Sequence, residues 1–322
     1  QIIELKDHSI NINYDKKRFS IKGSGYISLQ GKKDNMEYFI SNENNRYNFE
    51  TILILANNPL KIDFLGYQKK KNSNAKIKIN GLFIPKKKIV INSGSLNENN
   101  NSFNVKELIF DEDLKVFDLE SIKIDYQDKS KNNNQLELVK KKNQFYLSGS
   151  EFNAEYLIED LLNEDENDLN FINKNFDLNI NIKKIHLDNN FKLQNFKGIL
   201  NFKNNKVIKA DLDAFFPDKD KFKFTINTKN YEKVTTLFLD KAEPLVKRFK
   251  FIKGFKNGSL DFYSVTKADK SISSLKIYDF NLKELPILTK ILTLASLQGI
   301  ADILSGEGIF FDEFEMKFQS EK

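Results

Sequence analysis

The sequence predicts a mainly β protein, an elongated antiparallel sheet with about three short helices, and three observations predict it. Apolar and polar residues alternate with period two in many short segments. These segments are separated by turn residues, chiefly Asn, Asp, Gly and Lys. Only three stretches change to helical spacing.

From Ser9 to Leu29 and from Ala75 to Leu147 the pattern is a meander of strands, each with one apolar face: Ile77 and Ile79 alternate with Lys76 and Lys78, and Ile122 and Ile124 with Lys123 and Asp125. Asn-rich turns at Asn97 to Asn101 and Asn132 to Asn134 separate them, because Asn tolerates left-handed backbone angles and bonds its own backbone. A first helix is expected over 154–162, capped by Asn153. After the acidic stretch Asn163 to Asn170, Phe176, Leu178, Ile180 and Ile182 alternate strictly with polar residues, the clearest strand in the chain. Phe191 to Leu193, Ile199 to Phe202, Val207 to Phe215, Phe222 to Ile226 and Thr235 to Leu239 continue the sheet. A second, basic amphipathic helix is expected over 242–251 and a third over 286–304, which opens on Pro286 and stops at Ser305-Gly306. The third has a narrow polar stripe of Thr289, Thr293 and Ser296, so burial on more than one side is expected.

Residues 1–150 thus form a β-meander, and residues 151–322 a second β segment carrying the helices. A length of 322 residues suits about two domains, and a nearly all-strand chain of this length also suits one continuous elongated domain. A charged content of 30 % against a hydrophobic content of 40 % fits a large surface relative to the core. With no Cys, disulfides, thiolate metal sites and thiol nucleophiles are excluded. The two histidines, His8 and His186, lie in strand-like sequence without partner motifs, and no nucleophile elbow, phosphate-binding loop or metal-ligand cluster is evident. Neither catalytic residues, nor a metal, nor a cofactor is therefore expected, and the protein is not expected to be an enzyme. The net charge of +6 arises from short clusters such as Lys69-Lys70-Lys71, Lys86-Lys87-Lys88 and Lys140-Lys141-Lys142, offset by acidic runs, which is the pattern of solvated turns rather than of a nucleic-acid surface. No signal-peptide core and no run of about eighteen apolar residues is present, so the chain is expected to be a segment of a longer parent.

The C-terminal region carries Asp279-Phe280, Pro286, Leu292, Ala295-Ser296-Leu297, Gly299, Gly306-Glu307-Gly308-Ile309 and Phe311-Asp312 in the order strand, apolar helix, return strand. This segment resembles the AsmA-like family of envelope proteins, on the side of the YhdP- and TamB-type bridge-like lipid transfer proteins, near their C-terminal part. A looser match runs through Asn153 to Leu162, Phe176 to Ile208 and Leu237 to Leu260, in a composition rich in Asn, Lys, Ile and Phe where relatives carry Ala, Gly, Arg and Leu. The resemblance implies a curved, U-shaped β-groove whose apolar inside holds the acyl chains of glycerophospholipids. It implies a periplasmic segment of a Gram-negative protein anchored in the inner membrane and continuing past Lys322, linking inner and outer membranes in outer-membrane biogenesis, with envelope proteins as further partners.

The expected lipid-binding lining is Phe176, Leu178, Ile180, Ile182, Phe222, Phe224, Ile226, Leu260, Phe262, Leu275 and Ile277. Closed-core packing of the same residues is the bland alternative. A structural scaffold for envelope assembly, with two inner faces meeting about 10 Å apart, is the second functional reading. A saccharide-binding β protein is a third.

Overall fold

The computed structural model describes residues 3–15, 18–29, 31–163, 175–204, 206–248, 254–283 and 308–321. Nineteen of its strands belong to one antiparallel sheet and two more form a small separate ribbon, so the mainly β expectation holds. The chain divides into two compact units, Gln1–Lys183 with Phe202–Lys206, and Lys184–Asn201 with Val207–Lys322. Within each unit the sheet is curved and unclosed.

In the first unit the strands are β1 (Ile3–Asp15), β2 (Arg18–Leu29), β3 (Lys32–Glu43), β4 (Arg46–Leu55), β5 (Lys61–Ile62), β6 (Tyr67–Gln68), β7 (Ala75–Ile84), β8 (Lys88–Glu98), β9 (Asn101–Phe110), β10 (Val116–Asp118), β11 (Ser121–Gln127), β12 (Asn133–Lys141) and β13 (Gln144–Asn153). The strands pair in order along the meander, with β4 passing to β7 and β9 to β11; β10 pairs with β9, and β5 and β6 pair with each other. Tight turns rest on left-handed Asn residues, as at Asn44, Asn45 and Asn99 with φ of 51°, 59° and 50°. The helix α1 (Glu155–Asn163) agrees with the expected 154–162, and the Asn153 carboxamide accepts the Glu155 N–H at 3.1 Å. The strand β14 (Phe176–His186) starts in this unit and ends in the second.

The second unit continues with β15 (Lys192–Lys203), β16 (Lys206–Phe215), β17 (Lys221–Lys229), β18 (Glu232–Leu239), α2 (Glu243–Val246), β19 (Phe255–Lys267), β20 (Lys270–Leu282) and β21 (Ile309–Glu321). The helix α2 is four residues long, shorter than the expected 242–251. It opens on Glu243-Pro244, and a turn follows it through Lys247 and Arg248. Residues 249–251 of that expectation and the whole of the expected helix 286–304 lie outside the described residues.

The end of β20 and the start of β21 carry the described part of the motif. Asp279 takes a left-handed backbone, φ 53°, and interrupts the regular pairing between Tyr278–Glu313 and Phe280–Phe311. That irregularity turns both Ile277 and Phe280 into the core, three residues apart, where regular alternation would separate them. Phe255, Phe280 and Phe311 then stack, with ring centroids 5.3 Å and 5.2 Å apart and interplanar angles of 19° and 10°.

Candidate functional site

In an antiparallel ladder, directly paired residues project to the same side, so the register assigns the faces. In the second unit one row runs Ala214, Phe222, Leu239, Leu260, Ile277, Phe314 across the six strands from β16 to β21. The next row on the same face runs Leu212, Phe224, Leu237, Phe262, Leu275, Met316, and a third runs Ala210, Ile226, Thr235, Ser264, Ser273, Phe318. At about 4.8 Å per strand, each row is about 24 Å long. Seven of the eleven residues expected to line a groove fall on these three rows: Phe222, Leu260 and Ile277 on the first, Phe224, Phe262 and Leu275 on the second, and Ile226 on the third.

The rows differ in exposure along the strands. The first is packed: Leu239, Leu260 and Ile277 are buried beneath Ala242 and Val246 of the α2 segment, with Leu260 only 1 % exposed. On the second row Phe224, Leu237, Phe262 and Leu275 are half-buried. The third row turns polar, and the Ser273 hydroxyl donates to that of Ser264 at 2.9 Å. Toward the edge strand β21 the face opens further, with Phe314, Met316 and Phe318 exposed. The opposite face is largely polar, carrying Lys223 between Asp211 and Asp213, and Lys276 against Glu313.

The other four expected residues, Phe176, Leu178, Ile180 and Ile182, share one face of β14 within the first unit. Ile180 and Ile182 are buried and Phe176 and Leu178 half-buried. Phe176 stacks on Phe202 at 4.4 Å and meets Phe145 edge-on at 5.4 Å.

Most of the first unit's apolar face had no candidate assigned to it. One row passes Ile10, Gly23, Tyr38, Thr51, Ile79, Gly94, Val105, Ile122, Leu138 and Leu147, over ten strands. A parallel row passes Met36, Leu53, Ile77, Leu96, Phe103, Ile124 and Leu136. The alternation at Ile77-Ile79 and Ile122-Ile124 is the signal that could have located it. Most of these side chains are half-buried, and Ile10 and Ile12 on the edge strand β1 are more than half exposed, 54 % and 64 %.

One end of this face is capped. The segment 56–74, holding β5, β6 and a 3-10 turn (Asp63–Leu65), lays Leu60, Ile62, Leu65 and Tyr67 over Leu96, Phe103, Ile122, Ile124 and Leu136. Tyr67, Phe103 and Tyr126 form an aromatic trio with centroids 4.8, 5.0 and 5.9 Å apart. Burial first, then hydrogen bonding to the Glu98 carboxylate, pushes the Tyr67 hydroxyl pKa far up; burial and the nearby Asp128 charge do the same for Tyr126.

Buried polar side chains clamp the cap. Asp34 accepts the backbone N–H groups of Ala56, Asn57 and Asn58 at 2.8, 2.8 and 3.0 Å and the Asn58 side-chain amide at 2.8 Å. Glu98, fully buried, accepts Tyr67 Oη at 2.9 Å, Lys70 N at 2.7 Å, Asn101 Nδ2 at 3.1 Å and the Ser73 hydroxyl. Burial alone would raise both carboxyl pKa values, but the converging donors together outweigh it and hold both below the ordinary range. The α1 side is tied in the same way: Asn153 donates its N–H to Asn134 Oδ1 at 2.7 Å and its side-chain amide to Asp128 at 2.8 Å, while Tyr156 reaches Ser130 at 2.5 Å.

His8 lies in β1, where the pairing with β2 shifts opposite Gly25, and its Nε2 is 3.0 Å from the Tyr26 carbonyl oxygen; His186 is buried at the end of β14. Among the described residues no three His, Cys, Asp or Glu side chains are grouped to hold a metal ion, and no helix is long and apolar enough to cross a membrane.

The fold and this arrangement define a class, an antiparallel β protein with one extended, partly open apolar face in each unit, capped at one end by short segments. No protein-family model, no curated protein and no solved structure matches the chain.

Proposed function

We propose that the chain is a segment of a lipid transfer conduit that carries glycerophospholipids between the inner and outer membranes along the apolar face of its sheet, without covalent chemistry. The observation that carries this reading is the in-register apolar row Leu212, Phe224, Leu237, Phe262, Leu275 and Met316, buried at Leu212, partly exposed from Phe224 to Leu275, exposed at Met316 and backed by a polar opposite face. An acyl chain of about fifteen methylenes, at roughly 0.8 kcal/mol each, costs on the order of 12 kcal/mol to expose to water. A continuous apolar row offsets most of that cost without holding the lipid tightly. The AsmA-like resemblance supports the same reading and implies a periplasmic segment of a Gram-negative envelope protein anchored in the inner membrane.

The alternative is a structural scaffold for envelope assembly that carries no lipid. It requires apolar faces closed against one another. Among the described residues, the clusters at Leu260 and at Tyr67 pack strand residues against the short caps and not against a second sheet, which favours the open face. Transfer of fluorescent phospholipid between donor and acceptor vesicles tests the proposal. The Phe222→Asp, Phe224→Asp double variant is expected to lose transfer, and unchanged transfer by a folded double variant would sink the assignment.

A further inference from the structure

Two lysine clusters far apart in sequence, Lys32-Lys33 at the start of β3 and Lys69-Lys70-Lys71 in the cap, line one open pocket of about 640 Å³. Its remaining lining is Asn, Gln, Ala and Pro, with no acidic side chain. The pocket is built rather than incidental. The side-chain amides of Asn57 and Asn58 donate to the main-chain oxygens of Lys33 and Lys32 at 2.8 and 2.9 Å, and the Asp34 clamp fixes the same two residues together with Ala56.

The carboxylates nearby answer only part of the positive charge. Asp34, Glu98 and Asp7 offset three of the five lysines, Asp7 through Lys33 at 2.9 Å, and none of the three carboxylates lines the pocket. Lys69, only 6 % exposed, donates to the main-chain oxygens of Ala56 at 3.1 Å and Ser73 at 2.8 Å, which hold the ammonium without neutralising it. Lys32, Lys70 and Lys71 are exposed and make no ion pair among the described residues. A polyvalent oxyanion is the ligand class that several point-charge ammonium groups around one polar cavity recognise.

We infer that this pocket binds a phosphate-bearing anion, either free or as the headgroup of a lipid. The inference stands apart from lipid transfer, because the pocket is polar and the test needs no acyl chain. Calorimetric titration with inorganic phosphate and pyrophosphate compares three proteins: the wild type, the Lys32→Ala, Lys70→Ala, Lys71→Ala variant, and a control of equal charge, Lys86→Ala, Lys87→Ala, Lys88→Ala, in the turn after β7 and the first residue of β8. All six lysines are exposed, so both variants are expected to fold, which circular dichroism checks. The wild type and the control are expected to bind alike and the pocket variant about tenfold more weakly or worse. Equal weakening of both variants, or a wild type that binds neither anion, overturns the assignment. Flotation with phosphatidylcholine vesicles, with and without phosphatidic acid, names the source: capture by phosphatidic acid that the pocket variant loses supports a headgroup, and binding of the soluble anions alone supports a free ligand.

Discussion

Glu98→Gln isolates the clamp that holds the cap on the first unit's apolar face. The carboxylate is fully buried and acts only as an acceptor, with Lys70 N and the Ser73 hydroxyl on one oxygen and Tyr67 Oη and Asn101 Nδ2 on the other. A glutamine of the same shape must turn its NH2 toward one of these pairs. The hydroxyl in each pair can rotate to accept, but the Lys70 N–H or the Asn101 amide is then left facing another donor. One charge-assisted bond is lost outright and the rest become neutral, at about 1.5–3 kcal/mol for a bond to a charged group, so the expected cost is about 2–4 kcal/mol. The cost falls on local opening of residues 56–74, because a chain of two units does not support a single global unfolding energy. Hydrogen exchange read by mass spectrometry is the assay, and amides of 56–74 are expected to exchange about thirty- to several-hundred-fold faster, while β16–β21 are unchanged. Unaltered protection in 56–74, or equal loosening of the second unit, would refute the clamp.

The Asp34 and Glu98 carboxyls have folded pKa values below their unfolded ones, so their contribution is present above the unfolded values of about 3.9 and 4.3 and is lost as pH falls below them through the folded values. The near-ultraviolet signal of Tyr67 and Tyr126 is therefore expected to change in acid, below about pH 4, before far-ultraviolet ellipticity does; coincident loss of both would contradict a separate cap. Gly66→Ala places a Cβ 2.2 Å from the Tyr156 ring at a residue with φ of 61°, and is expected to loosen the contact between the cap and α1 by about 1–2 kcal/mol or more, measured by limited proteolysis. In an alkaline spectrophotometric titration, Tyr67 and Tyr126 are expected to ionise above the ordinary phenol range, and Tyr67→Phe is expected to remove part of that late fraction.

Strict alternation made much of the sheet legible, since it fixes both strand and face: β14 and β17 follow Phe176 to Ile182 and Phe222 to Ile226. The Asn153 cap located α1 within one residue. The strands β3 and β4 were not legible, because Tyr38-Phe39-Ile40 and Ile52-Leu53-Ile54-Leu55 put apolar residues on both faces and erase the period. The cap was hidden for a different reason. Its anchors, Asp34 and Glu98, are polar residues at inward positions, and only the register reveals which backbone amides they meet. For the candidate site, the sequence assigned seven residues to one face of the second unit, but not that Leu260 and Ile277 would pack beneath the α2 segment. That depends on where a short helix lands, which alternation does not encode.

Native mass spectrometry with lipid extraction on the purified chain tests the central claim most directly. Phe222 also packs on the α2 cluster, so Phe224→Asp alone accompanies the double variant as the milder change, and Phe238→Asp on the opposite face serves as control. The account predicts phospholipid bound to the wild type and to Phe238→Asp, and absent from folded Phe224→Asp. A wild type that carries no lipid, or a folded Phe224→Asp protein that carries as much as the wild type, would contradict it.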